Sequence, residues 1–345
     1  MRPVIVASAI AAACLAAPAS SAGRPLNVPA DKGWQHAQTG LILTAQLGEF
    51  KRTALEDSTG AELDVAATYD SPNRSGRATI YIYRPGLFDL PIWFDRSHLA
   101  MAHNKNFTLG AQAGPVARFS TPGNATQNGL RVVHAMAGKP TGATGLAIAP
   151  VGDWLVAIRL TSDSKDGAGV DAALTDLIAK IRWPANVTTT VVPDPIQPCA
   201  SSALKFKRAK VLKPDLGQSL LGAALVMAVN DKEASKAKAG PAQTYCLEGT
   251  GSADYSVYRP VGTNNQYVIA FGDAGISASV YPQFSLDGRK GNYSVTLSDL
   301  DSSDSYPGFN ALPEPAQVFA MVMKMSPVSS TAHGSKNITL SVPAK

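Results

Sequence analysis

The chain has 345 residues, 45% of them hydrophobic and 17% charged, with 31 Lys and Arg against 26 Asp and Glu. That apolar content excludes a wholly disordered chain, and the lack of long apolar runs past the N-terminus excludes a polytopic membrane protein. Residues 23–187 hold 16 basic and 14 acidic side chains and residues 188–345 hold 14 and 12, so neither half has the net charge of a nucleic-acid module.

The chain opens on Met1-Arg2-Pro3, an Ala-rich apolar stretch to about residue 17, and small residues through Ser20-Ser21-Ala22. A basic start, a short apolar core and a small-residue end form a secretory signal peptide, with cleavage expected after Ala22. Cys14 follows Ala11-Ala12-Ala13. A lipoprotein site carries a larger aliphatic three residues before the cysteine, so lipidation is not expected. The expected location is the periplasm or the exterior, with no transmembrane segment after cleavage. Cys199 and Cys246 are then the remaining cysteines, and in an exported chain they are expected to pair as a disulfide.

Short β-like runs follow at 41–44, 50–53, 62–69 and 77–84, the last two joined by the polar stretch 70–76. Residues 89–104 read as a helix with Pro91 near its start. Runs 146–149 and 154–160 flank Pro150-Val151-Gly152-Asp153 as a hairpin. Val170, Leu174, Leu177, Ile178 and Ile181 repeat at helical spacing, and Trp183-Pro184 ends that helix. Three prolines in six residues, Pro193, Pro195 and Pro198, mark a stiff connector. The expected domains are therefore 34–186 and 203–345, with 187–202 as the linker. In the second, strands are expected at 206–212, 244–247, 255–258, 266–271, 276–281, 293–297 and 337–342. A buried helix is expected at 220–229, another helix at 315–324, and a solvated stretch at 232–238. The fold class is α+β: two domains, each a mainly antiparallel β-sheet packed with a few helices.

The run Trp154-Leu155-Val156-Ala157-Ile158-Arg159-Leu160-Thr161, the helix 170–181 and its ending Ile181-Arg182-Trp183-Pro184 resemble the PsbP/Mog1-type fold. With Trp34-Gln35-His36 and Thr39-Gly40, the same segments resemble uncharacterised exported proteins of alphaproteobacteria. The resemblance covers residues 34–184. It implies a partner-binding or assembly role, with no shared catalytic residues to transfer. The second half resembles no functionally defined family.

Nucleotide-binding loops, Gly-x-Ser-x-Gly, His-Glu-x-x-His and Cys-x-x-Cys are all missing, so no cofactor is expected. Among the five histidines, His98 sits three residues after Asp95, on the same helical face, and His134 interrupts an apolar strand. Asp95, His98 and His134 are the candidate catalytic set if they converge in a pocket. Ser162-x-x-Lys165 and Ser202-x-x-Lys205 lack the companion motifs of a serine nucleophile. Asp299, Asp301 and Asp304 form an acidic loop that is either a cation site or a solvated turn. Lys205, Lys207, Arg208, Lys210 and Lys213 form the densest basic run. As a strand it would divide between two faces, giving either an anion-binding patch or a charged edge. Tyr81, Tyr83, Trp93 and Phe94 line either a groove or a core.

The expectation is an exported, non-enzymatic protein that binds a protein partner or another envelope component. A periplasmic hydrolase with a site between the domains is one alternative, and a metal-dependent sensor or carrier is another.

Overall fold

The computed structural model describes residues 23–139, 141–185, 191–213, 217, 243–283, 291–333, 335 and 337–340. The signal-like segment 1–22, the expected helix 220–229 and the charged stretch 232–238 lie outside the described residues.

The early part of the chain builds β1 (Arg24–Pro25), β2 (Trp34–Gln35), β3 (Ile42–Leu43), β4 (Gln46–Leu47), β5 (Phe50–Asp57), β6 (Asp64–Asp70) and β7 (Gly76–Tyr83). After a helix come β8 (Leu109–Gln112), β9 (Ala117–Phe119), β10 (Gly129–Met136), β11 (Ala143–Val151) and β12 (Trp154–Ser162). All but the small β2–β3 pair join one antiparallel sheet of order β1-β5-β6-β7-β12-β11-β10-β8, with β4 on β5 and β9 on β10. Alternating burial along β6 shows a strand with one packed face. In β11, by contrast, every residue is buried. That strand is central and covered on both faces, which explains its apolar run from Gly145 to Val151, with the buried Thr144 paired to Thr161.

Two helices provide the cover. In α2 (Gly167–Lys180) the Asp166 side chain accepts from the Gly169 amide at 2.8 Å, and Val170, Leu174, Leu177 and Ile178 are buried. They meet Trp154, Val156, Ile158 and Leu160 of β12 in one core. In α1 (Leu90–Ala102) Asp89 caps the start by accepting from the Ile92 amide at 2.9 Å, with Pro91 in the first turn. Its buried residues include Ile92, Trp93, Phe94, Arg96 and Met101 and do not keep to one narrow stripe. Such a helix must be enclosed, and α1 lies between two sheets. Trp93 and Phe94 belong to that core together with Tyr83, while Tyr81 packs at its margin.

The second sheet is a sequential meander: β13 (Gln197–Pro198), β14 (Tyr245–Leu247), β15 (Tyr255–Pro260), β16 (Tyr267–Phe271), β17 (Ile276–Pro282), β18 (Tyr293–Ser298), β19 (Ser302–Phe309), β20 (Ser329–Ala332) and β21 (Ile338–Leu340). Only β13 pairs in parallel, with β14. Side chains alternate across this sheet. Tyr258 and Ala270 enter the core around α1, whereas Val257, Tyr267 and Ile269 face the opposite core. The latter core is closed by α3 (Pro315–Lys324), which opens with a Glu314/Gln317 capping box and buries Val318 and Met321. The α+β class, with mainly antiparallel sheets, holds.

Two sequence expectations need correction. Residues 206–212 are not a regular strand; they make isolated bridges at Lys207 and Val211. Side chains hold much of the segment. Gln317 brackets Ala209 from both sides, accepting from its amide at 3.0 Å and donating to its carbonyl at 2.9 Å. The acidic loop is shorter than expected, because Asp304 lies within β19.

The connector is packed against both halves. Val192 is buried and its amide donates to Gln127 O at 2.9 Å, while Asp194 pairs with Arg118 at 2.6 Å. Cys199 and Cys246 form a disulfide, as expected, with Cα atoms 4.9 Å apart. Gly86 brings the halves into backbone contact: its amide donates to Gly275 O at 2.9 Å. A Cβ at Gly86 would fall 2.5 Å from Ser298 O, so no larger residue fits this approach. No described helix is long and apolar enough to cross a membrane.

Candidate functional site

The polar residues of α1 meet both sheets. Asp95 and His98 are one helical turn apart, but their side chains have different partners. The Tyr258 hydroxyl donates to Asp95 Oδ2 at 2.7 Å. His98 Nε2 lies 2.8 Å from His134 Nε2 on β10. His134 Nδ1 is 3.3 Å from Gly110 O. A carbonyl only accepts, so Nδ1 of His134 carries the hydrogen and its Nε2 accepts from His98 Nε2–H. Burial, reinforced by His134, pushes the His98 pKa down to about 4. Burial raises that of Asp95.

The structure therefore brings His98 and His134 into contact and commits the Asp95 carboxylate to the second sheet. None of the three lines either of the two cavities described here. Of the Ser-x-x-Lys pairs, Ser162 Oγ accepts from the backbone amides of Ser164 and Lys165, and Lys165 Nζ pairs with Glu49 at 3.2 Å. Asp299 caps its own turn by accepting from the Leu300 amide at 2.6 Å. Among the described residues no group of three or more His, Cys, Asp or Glu side chains is placed to hold a metal, and that includes Asp299, Asp301 and Asp304. Lys205, Lys207, Arg208, Lys210 and Lys213 are all exposed, on a segment that makes isolated bridges and no regular strand.

A depressed histidine pKa has a defined consequence. Unfolded His98 takes a proton near pH 6.5, whereas the folded residue resists it until about pH 4. Between those values the unfolded chain holds more protons, so this residue's contribution to stability falls as pH falls. Relative to the wild type, His98→Asn is expected to gain on the order of 2 kcal/mol between pH 7 and pH 4. Urea unfolding of both proteins across that range measures it, and parallel curves would refute it.

The larger cavity is a cleft of about 670 Å³ between the start of α1, the connector and the β14–β15 edge of the second sheet. Pro91, Pro193, Pro195, Ile196, Pro198 and Val261 supply apolar wall. Arg259 forms part of the frame: it donates to Glu248 Oε2, Thr263 O and Ser201 O, each at 2.8 Å. Its guanidinium is thus spent on holding the wall. Asp89 and Tyr245 are the polar lining groups whose acidity is most displaced. Burial raises Asp89 to about 6, and burial together with Asp89 raises Tyr245 to about 12. A mostly apolar cleft with a few fixed polar groups has the form of a ligand pocket. Its parts lie far apart in sequence, and the proline cluster was the one local sign of it.

No family profile matches the chain, and no curated protein matches it. Among solved structures, a 1.50 Å crystal structure from Bacteroides thetaiotaomicron VPI-5482 aligns over 71% of this chain and 88% of its own, at 10% identity and a TM-score of 0.23. A likeness at that level does not establish a common fold.

Proposed function

We propose that this chain is an exported, periplasmic binding protein without a catalytic role, and that its proline-lined cleft takes an apolar segment of an envelope component. The cleft carries the reading. It has the volume of a ligand site, and its apolar walls surround a carboxyl and a phenol whose charged forms are disfavoured by burial. A disulfide of 47-residue separation fits an oxidising compartment, and the signal-like first 22 residues supply the route. We read the first half as a PsbP/Mog1-type variant. Support comes from its antiparallel sheet with α1 on one face and α2 on the other, in a fold group that serves partner binding.

Titration with N-phenyl-1-naphthylamine, whose fluorescence rises in apolar surroundings, tests the cleft. One saturable site is expected. Ile196→Glu and Val261→Glu, each placing a charge in the wall, should weaken it about tenfold. Absence of saturable binding, or equal affinity in both variants, would overturn the proposal.

A further inference from the structure

A second cavity, of about 120 Å³, lies where the first sheet, α1 and the β16–β17 turn meet. Its lining residues are Asp64, Tyr81, Tyr83, Ser97, Ala157, Arg159, Asp273 and Ala274, and none of them lines the proline cleft. Register explains the grouping. Asp64 stands opposite Tyr83, and Tyr81 opposite Ala157, so one sheet face presents all four, with Arg159 two residues further along. Ser97 comes from α1, and Asp273 and Ala274 come from the second sheet's turn.

Three observations concern its chemistry. Tyr83 is 2% exposed, yet its hydroxyl has no hydrogen-bond partner among the described residues. Buried hydroxyls in folded proteins are nearly always paired. Arg159 pairs through a terminal nitrogen with Asp273 and holds its guanidinium carbon 5.6 Å from the Tyr81 ring centre, but its buried Nε–H also lacks a partner. Among the described residues Asp64 forms no ion pair: burial, with the nearby Asp273 and Asp57, pushes its pKa up to about 6 against a lowering Ser58 hydrogen bond.

The charge balance selects the ligand. Arg159 and Asp273 cancel, which leaves the negative charge of Asp64. A half-buried, uncompensated charge facing a cavity favours a counter-charge. The Nε–H of Arg159, in turn, requires an acceptor. We propose that this cavity binds a small primary ammonium compound bearing a nearby acceptor oxygen, of amino-alcohol size. Its ammonium group pairs with Asp64, and its oxygen accepts from Arg159 Nε and the Tyr83 hydroxyl. The volume of about 120 Å³ holds roughly four water-sized groups, which matches four non-hydrogen atoms. The Arg159 and Asp273 side chains are 25% and 33% exposed, so the cavity has a mouth to solvent.

Isothermal titration of the full chain at pH 7.5 with ethanolamine tests this, with glycine, acetate and glycerol as comparisons. Ethanolamine is expected to bind at one site. Glycine should bind at least tenfold more weakly, because its carboxylate restores the uncompensated charge. Acetate and glycerol should give no saturable heat. Asp64→Asn should weaken ethanolamine binding at least tenfold. Tyr83→Phe should weaken it about fivefold while leaving the melting temperature unchanged or higher, since it removes an unpaired buried hydroxyl. That pairing separates loss of a ligand contact from damage to the fold. No heat with ethanolamine, unchanged affinity in Asp64→Asn, or equal binding of glycerol would overturn the assignment and mark the space as a water-filled seam.

Discussion

Arg96→Ala is expected to destabilise the protein by about 3–5 kcal/mol. Arg96 is 1% exposed. From α1 it donates to Gly272 O at 2.6 Å, Ser252 O at 2.8 Å, Ala253 O at 2.9 Å and Ser256 Oγ at 2.7 Å. All four acceptors belong to the second sheet or its turns. Truncation removes a buried guanidinium that makes four hydrogen bonds, leaves the buried Ser256 hydroxyl without this partner and opens a gap under α1, which together cost more than the bonds themselves contribute. Arg96→Lys should recover little, because one ammonium cannot reproduce a planar fork serving acceptors on several sides. Guanidinium unfolding followed by tryptophan fluorescence provides the measurement, with Trp93 buried on the same helix. A loss below 1 kcal/mol would refute the view that Arg96 fastens α1 to the second sheet.

Replacing both cysteines, Cys199→Ala with Cys246→Ala, is expected to lower stability by about 4 kcal/mol on the loop-entropy account. The bridge spans a sequence separation of 47 residues, so it removes substantial freedom from the unfolded chain. It also holds an edge. Gln197–Pro198 pairs with β14 through a short parallel ladder, and the Cys199 amide donates to Leu247 O at 2.9 Å. So short a ladder has little stability of its own. The double variant should therefore melt lower and also loosen the proline wall of the larger cleft, giving weaker binding of the naphthylamine probe. Chemical denaturation, with and without reductant, checks the first effect. Wild type and variant unfolding at the same midpoint without reductant would count against it.

Local signals were legible where local physics decides. Pro91 near a helix start and the stripe Val170, Leu174, Leu177 and Ile178 mark two helices in the chain itself, while the capping roles of Asp89 and Asp166 emerged from the structure. Alternating and continuous apolar runs mark most strands, and the two cysteines left once the signal-like segment is set aside suggested the bridge that forms. Readings that depended on neighbours failed. Residues 206–212 read as a strand, but the backbone amides there are met by Gln317 and Asn310 side chains, so no regular ladder forms. Asp304 looked like part of a loop because Ser, Asp and Gly are poor strand formers, yet β19 has a partner on each side that supplies the ladder.

What the sequence determined by itself is therefore the class of the molecule, its two antiparallel halves and its disulfide, because periodicity, capping and cysteine number act over a few residues or over none. Tertiary structure alone decided the rest. It enclosed α1 between two sheets, turned Arg96 into a clamp, set His98 against His134, and gathered Asp64, Tyr83, Arg159 and Asp273 around one small space. Those groups are up to 209 positions apart, from Asp64 to Asp273, and only the stacking of one sheet on the other through α1 brings their charges within reach. No periodicity records such a meeting, since it depends on which faces pack together and not on how any one segment is patterned.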